Sequence, residues 1–170
     1  MQQYAFEYPQ YLTATIQHWK HLLQDGTFKN IVVAALKFLT QQEKVSVYGF
    51  VIMSNHVHIT WQSKGDNSIK QIQNSFIKHT SKEFKKQLEK ENALKDYKVN
   101  AADRKYNFWK RDSLGVELFT SAVFDQKLNY IHYNPVTAGL CLLPEDYHYS
   151  SALFYEKGID KFSFLQHYSG

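Results

Sequence analysis

A single cysteine, Cys141, in 170 residues leaves no partner for an internal disulfide and excludes a multi-cysteine zinc cluster, as fits a reducing compartment. No apolar run approaches the roughly 18 residues needed to span a bilayer, and no apolar h-region opens the chain. A cytoplasmic location with no membrane partner is the expectation. Linkers, internal repeats and low-complexity segments are also missing, so residues 1–170 are expected to form one domain. What is plentiful is aromatic: 12 Tyr, 12 Phe and 3 Trp within a hydrophobic share of 44% supply both a core and surfaces on which bases can stack. The formal net charge of +4 is compatible with a polyanionic partner without demanding one.

The hydrophobic pattern alternates between two periods. Tyr11 to Gln17 has the β-branched alternation of a first strand, and Phe28, Ile31, Val32, Ala35, Leu36 and Leu39 then recur at helical spacing. Tyr48 to Trp61 is a β-hairpin of two apolar runs joined at Ser54-Asn55. Ile69, Ile72, Phe76, Ile77, Phe84 and Leu88 mark a second helix from Ser68 to about Glu91, and Val116 to Phe119 is a possible fourth strand. Thr120 or Ser121 caps a third helix, which is expected to stop at Asn134 because Pro135 disfavours the α conformation in the residue before it. This order predicts an α+β fold, a ferredoxin-like (RRM-like) antiparallel sheet with helices packed on one face and a further C-terminal helix that carries tyrosine. Strands one and three would be central.

In a strand, side chains alternate between faces, so His56, His58 and Thr60 share one face and Val57, Ile59 and Trp61 the other. Two imidazoles on one strand are pre-aimed to hold a metal ion; the plainer reading is two histidines on a solvated sheet face. On the third helix Tyr130 and Asn134, four apart, project together while His132 points away. Lys78, Lys82 and Lys85 lie on the second helix outside its apolar stripe, where they either track a phosphate backbone or form a solvated face. Phe108-Trp109-Lys110-Arg111 interleaves aromatics with cations, the composition of a nucleic-acid contact, although a tryptophan anchoring a loop to the core has the same appearance.

Met53-Ser54-Asn55-His56-Val57-His58, followed by Tyr130-Ile131-His132-Tyr133-Asn134-Pro135-Val136-Thr137-Ala138-Gly139-Leu140, resembles the single-tyrosine HUH transposases, most of all the REP-associated tyrosine transposases. The likeness runs from about Val45 to Tyr155, and Ser113 to Phe119 departs from the commonest pattern. It implies an enzyme that cuts and rejoins single-stranded hairpin DNA, acting as a monomer or homodimer. Tyr130 would be the nucleophile, and His56, His58 and Asn134 would hold Mg²⁺ or Mn²⁺. Attack by the tyrosine would leave a 5′-phosphotyrosyl link and a free 3′-hydroxyl, conserving the bond energy for rejoining. The alternatives are a non-catalytic single-stranded nucleic-acid-binding module of the same fold and a metal-dependent hydrolase in which water attacks.

Overall fold

Strand β1 (Gln10–Thr15) leads into helix α1 (Gly26–Gln41), the hairpin β2 (Val45–Ile52) and β3 (His56–Ser63), helix α2 (Ile69–Lys90), strand β4 (Leu114–Glu117), and helices α3 (Ser121–Thr137) and α4 (Ala152–Lys157). The computed structural model describes residues 7–111 and 113–170; residues 1–6 and Asp112 lie outside the described residues. The sheet order is β2-β3-β1-β4, with every neighbouring pair antiparallel. β1 and β3 are therefore the inner strands, as the ferredoxin-like order predicts.

Strand alternation sorts the apolar residues into two clusters. Leu12, Ala14, Val57, Ile59 and Trp61 face α1 and α2, where Phe28, Val32 and Leu36 of the first helix and Ile72, Phe76 and Phe84 of the second complete the larger core. Burying a side chain of this kind contributes about 1.5–3 kcal/mol relative to exposure. On the opposite face Tyr11, Tyr48 and Val51 pack against Phe124, Leu128 and Ile131 of α3. The sheet is thus covered on both sides, and β2 is buried along its whole length. Local signals set the helix starts. Asp25 accepts from the Thr27 N–H at the head of α1, and Ser68 and Gln71 form a reciprocal capping box before α2.

Three boundaries differ from the sequence expectation. β1 begins at Gln10 and ends at Thr15, because the chain turns at His18 and Trp19, both with positive φ. β4 runs from Leu114, two residues earlier than expected, and at its end the Leu118 N–H donates to the Pro9 carbonyl. α3 does not stop at Asn134. Pro135 removes only one donor, it is buried, and the last turn is closed by N–H donation from Ala138 to the Asn134 carbonyl and from Leu140 to the Pro135 carbonyl.

α3 can approach the sheet because β2 carries Gly49. A Cβ there would lie 2.5 Å from Leu128 Cδ1 and 2.9 Å from Thr60 Oγ1. Gly49→Ala is therefore expected to destabilise the protein by about 1–3 kcal/mol by forcing α3 outward. Chemical denaturation measures this, and an unchanged midpoint would show that the helix shifts without cost.

Candidate active site

The hairpin turn that precedes β3 is fixed both from outside the hairpin and from within it. Ile16 N–H donates to the Asn55 carbonyl, Leu23 N–H donates to the Ser54 carbonyl, and Met53 N–H donates to the His56 carbonyl, so His56 starts its strand in a held position. Its Nδ1 lies 2.7 Å from Asn55 Oδ1, an oxygen that can only accept. The proton is therefore on Nδ1, and the Nε2 lone pair is free. Burial lowers the His56 pKa, which keeps the ring neutral at pH 7.

His58 sits between Thr13 of β1 and Val51 of β2 in the sheet register. Its Nδ1 is 2.8 Å from Tyr11 Oη and 3.1 Å from Thr13 Oγ1, and the Tyr11 ring stacks on it at 5.3 Å between centroids. When Nδ1 carries the proton it donates to these oxygens and leaves Nε2 bare, the arrangement by which a protein orients an imidazole ligand. Burial, then His56, then the Lys127 ammonium push the His58 pKa down to about 3. Tyr11 is pushed up to about 12, chiefly by burial, and so remains a neutral phenol. The His56 and His58 rings are 4.9 Å apart, both on the face covered by α3.

α3 brings the third component. Thr120 caps it by accepting from the Val123 N–H, and the buried stripe of Phe124, Leu128 and Ile131 sets its rotation on the sheet. Tyr130, 55% exposed, places its ring edge-on to His58 at 5.5 Å between centroids. Asn134 follows one turn later, half-buried. One turn earlier, Lys127 Nζ lies 5.0 Å from the Tyr11 ring centroid. His132 points elsewhere, as its spacing predicts: it is buried, with Nε2 2.7 Å from Ser151 Oγ, and Ser151 Oγ also accepts from the Phe50 N–H. That chain of bonds ties α3 to β2.

Among the described residues no three His, Cys, Asp or Glu side chains gather into a metal-binding group. Two neutral imidazoles, each engaged at Nδ1 and, with the proton there, bare at Nε2, fit Mn²⁺ readily and Mg²⁺ less so, and any third protein donor would be of another type, such as the Asn134 amide. Tyr11, Thr13 and Lys127 were missed by the sequence reading. The signals were there: Tyr11 and Thr13 alternate in phase with the histidines once β1 neighbours β3, and Lys127 is three residues before Tyr130.

The proposed DNA contacts separate into two groups. Lys78, Lys82 and Lys85 are exposed on α2, which packs on the sheet face opposite the histidines. Trp109 is 2% exposed; its Nε1 donates to Thr80 Oγ1 at 2.9 Å, and its ring packs on Phe76 and Phe84. The expectation of a base-stacking Trp109 is corrected: the ring is a core anchor, as the pattern also allowed. Lys110 and Arg111 are exposed. Lys110 N–H donates to the Thr15 carbonyl, and Thr15 is the register partner of His56, so this segment borders the histidine end of the sheet. Arg111 is 2.7 Å from Asp103.

Fold and site together define a ferredoxin-like protein in which a histidine pair on an inner strand meets a helix-borne tyrosine. The family described as "Transposase IS200 like" matches residues 12–134, and the chain belongs to that family of transposases. It is similar in structure to a REP-associated tyrosine transposase bound to a REP hairpin, with a TM-score of 0.64 and 16% identity over 99% of this chain and 96% of the other. A candidate transposase from Deinococcus radiodurans R1 is also similar, with a TM-score of 0.53 and 13% identity over 77% of this chain and 93% of that one. No curated protein matches the sequence. Among the described residues no helix is long and apolar enough to cross a membrane.

Proposed function

We propose that residues 1–170 act as one HUH-type domain that cleaves and rejoins single-stranded DNA beside a hairpin through a 5′-phosphotyrosine intermediate on Tyr130. The observation that carries this reading is the Tyr130 ring lying against His58 beside His56, with both Nε2 positions facing away from their Nδ1 partners. The resemblance to a hairpin-bound transposase supports the choice of substrate. His56, His58 and Asn134 would hold Mg²⁺ or Mn²⁺, which when bound supplies polarisation and orientation of the scissile phosphate.

The remaining work falls to side chains. Tyr130 Oη forms the new bond to phosphorus, the bond from phosphorus to the 3′-oxygen breaks, and the phenolic proton passes through solvent to the departing 3′-hydroxyl. Rejoining reverses these steps without a nucleotide cofactor. Lys127 places a cation one helical turn from the nucleophile, where it offsets phosphate charge. Tyr11 and Thr13 hold His58 in the ligating orientation. Tyr130 stands against His58 of its own chain, an arrangement that supports action in cis by a monomer. Exposed Lys110 and Arg111 contact phosphates near the cut, while Lys78, Lys82 and Lys85 serve a more distant stretch of duplex.

The test is incubation with single-stranded hairpin DNA and Mn²⁺, followed by a denaturing gel. A protein–DNA adduct that a protease shortens to a labelled nucleotide peptide is the expected result; cleavage without adduct would favour a water-attacking hydrolase. For the orienting role, Tyr11→Phe removes one of two oxygens at His58 Nδ1 and should weaken Mn²⁺ binding about tenfold in calorimetry. An unchanged affinity would show that Thr13 alone suffices.

A further inference from the structure

Trp19 stands out from the other two tryptophans. Trp61 and Trp109 are 0% and 2% exposed, whereas Trp19 is 57% exposed. It is also held in a costly conformation: His18 and Trp19 have φ of 58° and 56°, two consecutive left-handed residues with neither a glycine nor an asparagine between them. Each such residue costs on the order of 1 kcal/mol or more, a cost that recurs at ligand-binding positions. The loop leaves the end of β1 where Ile16 N–H donates to the Asn55 carbonyl and Gln17 N–H donates to the Phe108 carbonyl, so Trp19 is rooted beside the turn that carries His56. Lys110 Nζ lies 5.0 Å over the Trp19 ring. A cavity of about 700 Å³ opens next to the loop, lined by Gln17 and His18, by Lys98, Asn100, Arg104 and Asn107 of the connection that follows α2, and by Asp103, whose carboxylate pairs with Arg104 and Arg111.

An exposed indole with a cation at its ring, beside a groove of amides and basic side chains around one carboxylate, has the chemistry that receives an unpaired base and its phosphate. We propose that Trp19 is a stacking platform for one unpaired nucleobase of the DNA strand that leads from the hairpin to the scissile phosphate, with Lys110 on the adjoining phosphate. The groove beyond takes the next nucleotide. The proposal rests on the single-strand cleavage reading but does not need cleavage to be observed.

Trp19 is the only tryptophan open to quenchers among the three, so its fluorescence reports on the site directly. The full chain, without divalent ion, is titrated with two labelled hairpins, one with an unpaired extension and one blunt-ended, while DNA anisotropy reports binding independently. The expected result is quenching of tryptophan emission and protection from acrylamide with the extended hairpin only, lost when one position of the extension is made abasic. Trp19→Ala should weaken binding of the extended hairpin by about 5- to 150-fold and leave the blunt hairpin unaffected, with Trp19→Phe in between. Equal quenching by both hairpins, or extended-hairpin affinity unchanged in a folded Trp19→Ala, overturns the proposal. Anisotropy showing no binding of the extension overturns it as well. The adduct gel reads the cleavage reaction separately, so an adduct formed by a chain with no Trp19 quenching refutes the platform alone, and quenching without an adduct refutes the cleavage reading alone.

Discussion

Tyr130→Phe should fold, bind hairpin DNA with near wild-type affinity, and yield neither covalent adduct nor cleaved strand. The ring sits edge-on to His58 and is 55% exposed, so losing one hydroxyl leaves the packing of α3 on Phe124, Leu128 and Ile131 intact. The oxygen that would attack phosphorus is gone. Tyr11 is a buried phenol held neutral with its oxygen turned to His58 and cannot replace it. Tyr133 is also 55% exposed and stands three residues on, but of the two only Tyr130 has a ring contact with His58 among the described residues, so Tyr133→Phe is expected to keep adduct formation. The expected loss is at least about 10⁴-fold in rate, the scale on which removal of a covalent nucleophile acts. Cleavage within tenfold of wild type by the purified variant would mean that water or another side chain attacks.

The second large effect is expected from His56→Ala, which removes one of two imidazoles engaged at Nδ1. Metal-dependent cleavage should fall by about 10³-fold or more and Mn²⁺ binding should disappear from calorimetry, while hairpin binding in the absence of metal stays intact, because phosphate contacts lie elsewhere. Since His56 is only half-buried at the start of β3, the fold should tolerate the change. Mixing His56→Ala with Tyr130→Phe chains then separates two arrangements. With the tyrosine acting on its own chain's histidines, the mixture stays inactive. Recovered cleavage would show that a second copy supplies the tyrosine.

The parts of the site legible in the sequence were those set by local periodicity. The twofold repeat of a strand put His56 and His58 on one face, and the helical repeat turned His132 away from Tyr130, as the ring contacts and the His132–Ser151 bond show; the grouping of Asn134 with Tyr130 rests on its spacing. The order of strands and helices was legible for the same reason. What was hidden depended on partners far apart in sequence. Tyr11 and Thr13 reach His58 only because β1 registers against β3, a pairing of residues more than 40 positions apart. Trp109 was ambiguous because composition does not say which way a ring points: the Thr80 hydroxyl that takes its N–H lies one helix away. The end of α3 was placed too early because a proline's local cost was outweighed by burial and by two closing hydrogen bonds.

The interior position of β3 has a consequence for how the protein can change. Its residues are bonded to β1 on one side and β2 on the other, so exchange of its amide hydrogens requires opening of the whole sheet. The 17–19 turn and the 98–107 connection lie outside these ladders, the former tied to the chain by donation from the Gln17 N–H to the Phe108 carbonyl. The two histidines are therefore carried by a strand whose ladder is closed on both sides, while the loops that border them lie outside it. Substitutions can accumulate in those peripheral loops one at a time while the histidine strand remains untouched.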